Sequence, residues 1–248
     1  MFEASRPQYH IVSGYIQIVS EGQYLPAFWS HPEMGGPFPG LMLLHDFWGL
    51  TPHIRSQVRR YAELGYYVIA PDLFNRQTAT SAAQANALVS QVGDAAPAHV
   101  AAALHALRSH NRCDNNVGII GWGMGAQLGL QTAMTSGDLR LLMTFYGLPN
   151  QIDVQNLDCP VLALFAEGDT TVPPEAISAL RQALTQAKVE HEVVVYPKVE
   201  RGFFDDSSPT FHPVAAMDAW NRSLELLAQH LDAPTPPDTG SFFPGRVY

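Results

Sequence analysis

Lysine, cysteine and long apolar runs are all scarce in this chain of 248 residues, and each shortage excludes a class of protein. The only lysines are Lys188 and Lys198, and the formal net charge is −9. Nucleic-acid binding needs clustered Lys and Arg to neutralise phosphates, and a polybasic membrane patch needs the same. Neither partner is expected. Two cysteines, Cys113 and Cys159, are too few for a disulfide framework or a metal site. Cys113 reads as part of a polar loop and Cys159 as a strand start before Pro160, both structural. The longest apolar stretches, such as residues 161–166, are far too short to span a bilayer. Residues 1–8 have no apolar core of a secretory signal, so a cytoplasmic location is expected. No histidine pair has His-x-x-x-His spacing, and neither zinc nor any other cofactor is expected.

What is present is a chain with a large apolar fraction, 46% hydrophobic and 15% charged, suited to a buried core. Residues 9–20 and 23–30 read as two β-rich runs around the turn at Glu21-Gly22. Thereafter strands and helices alternate. Strand patterns cover 41–44, 66–70, 117–120, 139–146, 161–166 and 192–196. Helix patterns cover 52–64 (ended by Gly65), 82–92, 96–109, 126–134, 174–187 and 213–231. Continuous apolar strands alternating with helices predict an α/β fold with a central, mostly parallel sheet and helices on both faces. Residues 1–231 read as one domain and 232–248 as a Pro-rich tail, with Phe242 and Phe243 available to dock on the body.

One further absence concerns chemistry. Gly121-Trp122-Gly123-Met124-Gly125 joins a strand to a helix by a Gly-x-X-x-Gly turn, and its middle residue has no side chain. In the nucleophile elbow of α/β-hydrolases that residue is Ser, Cys or Asp. Two blander readings compete. The glycines could serve close packing alone, or Gly121-x-Gly123-x-x-Ala126 could be a dinucleotide loop. The latter requires an acidic residue at the end of the next strand, where this chain has Phe145-Tyr146-Gly147.

Five segments in order resemble the dienelactone hydrolase family of α/β-hydrolases over roughly residues 10–231. His45-Asp46-Phe47-Trp48-Gly49-Leu50 is similar to the segment after its third strand, where an acid contacts the resting nucleophile. Ala70-Pro71-Asp72-Leu73-Phe74-Asn75-Arg76 resembles a stretch whose arginine helps to hold an anionic substrate. Gly121 to Gly125 matches the elbow, and Gly168-Asp169-Thr170-Thr171-Val172-Pro173 the loop of the triad acid, here Asp169. Glu200-Arg201-Gly202-Phe203 falls where the family has its histidine. Thus Gly123 stands in place of the nucleophile and Arg201 in place of the base, so that no triad is intact.

Acyl transfer needs a nucleophile, a base and a group orienting the base, and arginine does not act as a base near neutral pH. A stranded buried carboxylate costs several kcal/mol, so an Asp169–Arg201 ion pair is expected. The oxyanion hole, formed by the N–H groups of Met124 and Phe47, is expected to persist because it is backbone. The expected ligand cleft is lined by Asp46, Phe47, Trp48, Arg76, Trp122, Met124 and Phe203, and takes a small, anionic or lactone-like molecule.

Each of these residues has an alternative. Asp46 is either a base for water or a turn cap, Arg76 a ligand-binding cation or a surface residue, and the aromatics cleft or core. His45 is placed facing the cleft, His53 and His191 at the surface, and His212 too far from the site to replace the base. Three functions follow: a binder without triad catalysis, a residual ester or lactone hydrolase using Asp46-activated water, or an interaction module with a filled cleft.

Overall fold

The computed structural model describes residues 8–149 and 151–236. Eight strands form one sheet in the order β1-β2-β4-β3-β5-β6-β7-β8. These are β1 (Ile11–Ser20), β2 (Gln23–Pro32), β3 (Phe38–Leu44), β4 (Tyr67–Pro71), β5 (Cys113–Trp122), β6 (Leu139–Phe145), β7 (Val161–Ala166) and β8 (His191–Tyr196). β1 pairs antiparallel with β2, and β2 with β4; every other pairing is parallel. This is the mostly parallel α/β sheet that the alternation predicts.

The central strands are apolar throughout because both faces are covered. Along β7, Val161, Ala163 and Phe165 join one core cluster while Leu162, Leu164 and Ala166 join the other. β3 divides in the same way, with Met42 and Leu44 on one side and Leu41 and Leu43 on the other. The period of two along a strand sends successive side chains to opposite faces. Helices α2 (Ala82–Val92), α3 (Ala96–Ser109), α4 (Met124–Ser136) and α5 (Pro174–Gln186) contribute to the first cluster. Helices α1 (Pro52–Glu63) and α6 (Pro213–His230) contribute to the second.

Local chemistry fixes where several elements begin. The Thr51 hydroxyl accepts from Ile54 N–H and Pro52 opens α1, which satisfies one free donor of its first turn. α4 runs against β3 so closely that a Cβ on Gly125 would lie 2.1 Å from the Leu44 carbonyl oxygen. Only glycine fits there, and this contact seats the turn at Gly123 directly over the sheet.

Two expectations need adjusting. β5 begins at Cys113, which is a buried strand residue and not part of a loop. Its sulfur is 3.0 Å from where a Cβ on Gly40 would lie, so it packs into the neighbouring strand. The start of the Pro-rich segment is held to the body: Ala233 is buried, and the Tyr9 hydroxyl donates to the Pro234 carbonyl at 3.1 Å. Phe242 and Phe243 lie outside the described residues. No helix among the described residues is long and apolar enough to cross a membrane.

Candidate functional site

In a parallel sheet the loops following the strands gather at the carboxyl edge, where ligands bind in open α/β folds. Here those loops deliver Asp46 after β3, Gly123 after β5, Tyr146 after β6, Asp169 after β7 and Arg201 after β8. Gly123 has φ 52° and ψ −111°, a backbone that L side chains rarely adopt. Its N–H donates to the Phe145 carbonyl at 2.9 Å, and its carbonyl accepts from Ala126 and Gln127. The sharp strand-to-helix turn is therefore intact with glycine at its apex.

The space above the apex is occupied. A Cβ at position 123 would lie 2.6 Å from Arg201 Nη2 and 3.2 Å from Asp46 Cβ. Arg201 Nη1 reaches Asp169 Oδ2 at 3.0 Å, Thr171 Oγ1 at 2.8 Å and the Tyr146 carbonyl. The expected Asp169–Arg201 ion pair is thus present, and the guanidinium carbon also sits 5.1 Å from the Tyr146 ring centroid. The other oxygen of Asp169 accepts from Thr171 N–H at 2.8 Å and from its hydroxyl at 2.7 Å. Asp169 is buried, and both its oxygens accept hydrogen bonds.

Asp46 is a different kind of carboxylate. Its Oδ1 accepts from Trp48 N–H at 2.9 Å, a two-residue turn. Burial pushes its pKa up to about 6, while the Trp48 N–H and Arg201 pull it back only in part. A carboxyl group that titrates close to neutrality beside a cleft is a recognised mark of a reactive position.

A cleft of about 980 Å³ opens over these residues. Asp46, Phe47, Trp48, Trp122 and Met124, all expected at the ligand cleft, line it. Trp122 does so as a wall, only 1% exposed and stacked on Phe145 at 5.2 Å. Arg76 is not there. Its N–H donates to Asp72 Oδ2 at 2.9 Å and its guanidinium lies 5.9 Å from the Tyr15 ring, away from the cleft lining. Phe203 is absent from the lining too, being fully buried between Tyr146 and Tyr196 at 5.9 and 5.0 Å. Arg201 and Phe203 flank Gly202, whose φ of 86° turns the chain, so that the arginine faces the cleft while the aromatic packs into the core.

The histidines also move from their expected places. His45 is fully buried: its Nε2 accepts from Leu73 N–H at 3.1 Å, and burial pushes its pKa down to about 4. His53 is buried and not on the helix surface, with Nδ1 at 3.3 Å from Asp205 and 3.7 Å from Asp206. Burial lowers its pKa despite those two carboxylates. His191 is half-buried with Nδ1 2.8 Å from the Val189 carbonyl, and His212 caps α6 by accepting from Ala215 N–H at 3.2 Å. Neither supplies a base.

His53, Asp205 and Asp206 bring three potential metal-ligand atoms within 4.8 Å of one another. Their separation of some 150 residues hides this group from any spacing rule. Asp205 Oδ1, however, already accepts from Ser207 N–H at 2.9 Å and its hydroxyl at 2.6 Å. The trio reads as the anchor that ties the loop bearing Arg201 to α1. Tyr146, Thr171, His53 and Asp205 are the site residues that sequence reasoning missed. Only Thr171 left a signal, as the second residue after an Asp in a turn.

The sheet order, the turn at Gly123 and the acid loop at Asp169 define an α/β-hydrolase fold. A profile of the dienelactone hydrolase family matches residues 25–231, and the chain belongs to that family. A Yersinia pestis protein named "Putative carboxymethylenebutenolidase" is 32% identical over 238 residues, covering 88% of each chain. An Escherichia coli K12 protein of the same name is 30% identical over 242 residues, covering 90% of this chain and 89% of its own. Among solved structures, one titled as a putative dienelactone hydrolase of Klebsiella pneumoniae superposes with a TM-score of 0.81 at 29% identity, covering 89% of this chain and 99% of that one. The dienelactone hydrolase-like promiscuous phosphotriesterase P91, from metagenomic libraries, gives 0.81 at 22% identity, over 89% and 98%.

Proposed function

We propose that this member of the dienelactone hydrolase family binds a small carboxylate or lactone-like carbonyl compound without forming an acyl-enzyme. The observation that carries this reading is Arg201 Nη2, 2.6 Å from where a nucleophile's Cβ would be. A guanidinium stays protonated near neutral pH and is a poor nucleophile, but it is a strong donor to an anion or a polarised carbonyl. The open cleft favours a ligand-binding role over that of an interaction module with its cavity filled. Asp46, Phe47, Trp48, Trp122 and Met124 are the proposed contacts, joined by Arg201.

Calorimetric titration with benzoate, paired with mass spectrometry after incubation with p-nitrophenyl acetate, tests this. Benzoate binds, Arg201→Lys weakens binding about tenfold by losing the guanidinium fork, and Arg76→Ala leaves it unchanged. No acyl adduct forms. A stable adduct, or binding indifferent to Arg201, would count against the reading. The raised pKa of Asp46 favours one second reading, water activated for residual ester hydrolysis. Aryl-ester turnover abolished by Asp46→Ala would establish it in place of the first.

A further inference from the structure

Two charged groups at the apex remain unspent. Arg201 uses Nη1 for its three acceptors, and Nη2, which faces Gly123, makes no hydrogen bond among the described residues. Asp46 uses Oδ1 for Trp48 N–H, and its Oδ2 makes none. Both line the same cleft beside Gly123, the residue just before α4 begins at Met124. The N–H of that residue is one of the donors that a helix cannot satisfy internally.

A carboxylate with one oxygen unused and a guanidinium with one nitrogen unused, both lining the cleft beside a turn that carries no nucleophile, lack the parts for acyl transfer. They have the parts for a different reaction. We infer that Asp46 and Arg201 form a proton-transfer site that isomerises carbonyl compounds through an enolate, Asp46 as the base and Arg201 as the enolate-binding group. The inference rests on the reading that the cleft takes a carbonyl compound at the apex.

In the step itself, an Asp46 carboxylate oxygen removes a proton from the carbon next to the carbonyl. The C–H electron pair becomes the enolate double bond, and the carbonyl π pair moves onto oxygen. Arg201 Nη2–H and Met124 N–H hold that oxygen, donating without giving up their protons. The Asp46 carboxyl then returns its proton, to the same carbon or, in a β,γ-unsaturated lactone, to the γ carbon. The double bond has moved, nothing is oxidised or reduced, and no co-reactant is consumed. A carboxylate base opposite enolate-stabilising donors is a sufficient apparatus for such chemistry.

The test follows α-angelica lactone, a β,γ-unsaturated butenolide, by proton NMR in D2O with the full-length protein. Deuterium entering the α carbon and growth of the conjugated isomer, both above a buffer control, are expected. Asp46→Asn keeps the Trp48 N–H bond and lowers the exchange rate about 100-fold or more, a fall much larger than any change in lactone affinity by calorimetry. Ring-opened acid in place of isomer would overturn proton transfer in favour of hydrolysis. Binding without exchange, or exchange undiminished in Asp46→Asn, would overturn it and leave the binding reading standing. A lactone that does not bind, beside benzoate that does, overturns the inference alone; failure of both ligands overturns the two together.

Discussion

Asp46 and Asp169 share one guanidinium as their neighbour and live in opposite circumstances. Asp169 has three donors besides its ion pair's charge: Thr171 N–H, Thr171 Oγ1 and Arg201 Nη1. Asp46 has one, from Trp48, and its pKa is raised to about 6. Asp169 is buried and Asp46 half-buried at the cleft, yet it is Asp46 that has fewer donors. A buried carboxylate with its full set of partners is a structural element, whereas one with too few retains a tendency to take up a proton. The acid loop of this chain belongs to the first kind and the turn after β3 to the second.

Removing the shared arginine should break the contrast most sharply. Arg201→Met leaves Asp169 buried with its charge uncompensated and should cost about 3–5 kcal/mol in chemical denaturation. A loss below about 1 kcal/mol would show that the ion pair is not what balances Asp169.

Asp46→Asn should have the opposite sign. The native state holds this proton at higher pH than the unfolded chain does, because the folded pKa is raised above 3.8 to about 6. The charged group therefore lowers stability as pH rises from about 4 to about 6, and fully above that window. The asparagine variant should be about 2–3 kcal/mol more stable near neutral pH and no more stable below about pH 3. Denaturation midpoints measured across that range decide it; a gain independent of pH would assign the effect to packing.

The smallest effect is a coupling. Gly123→Cys meets both an unfavourable backbone and Arg201 Nη2, while Arg201→His withdraws the group in the way. A double-mutant cycle should show the pair less destabilised than the sum of the single changes by about 0.5–3 kcal/mol. Strict additivity would mean that Arg201 swings clear without cost.

The fold was readable because its signals are local and repeated. The run at 161–166 coincides with β7, and the helix starting after Thr51 is capped as its sequence announces. The ion pair at Asp169 was readable from a chemical argument, since a buried carboxylate without a histidine beside it needs another partner. Orientation was not. Phe203 and Arg76 both sit in segments that resemble site segments, yet one faces the core and the other the outer strands. Sequence position shows which loop carries a residue but not to which side of the backbone it turns. His53 was hidden for another reason: its partners Asp205 and Asp206 arrive from the far end of the chain.

The 2.6 Å between Arg201 Nη2 and the missing Cβ of residue 123 also bears on ancestry and descent. A thiol or hydroxyl side chain arriving alone at position 123 collides with the guanidinium. A histidine arriving alone at 201 withdraws the permanent cation from Asp169 before there is any nucleophile to serve. Each one-codon step is disfavoured until the other has been taken. Placing a nucleophile at 123 and a histidine at 201 in this sequence therefore means crossing a ridge, and the pair Gly123 with Arg201 is held by geometry, apart from any selection on the cleft.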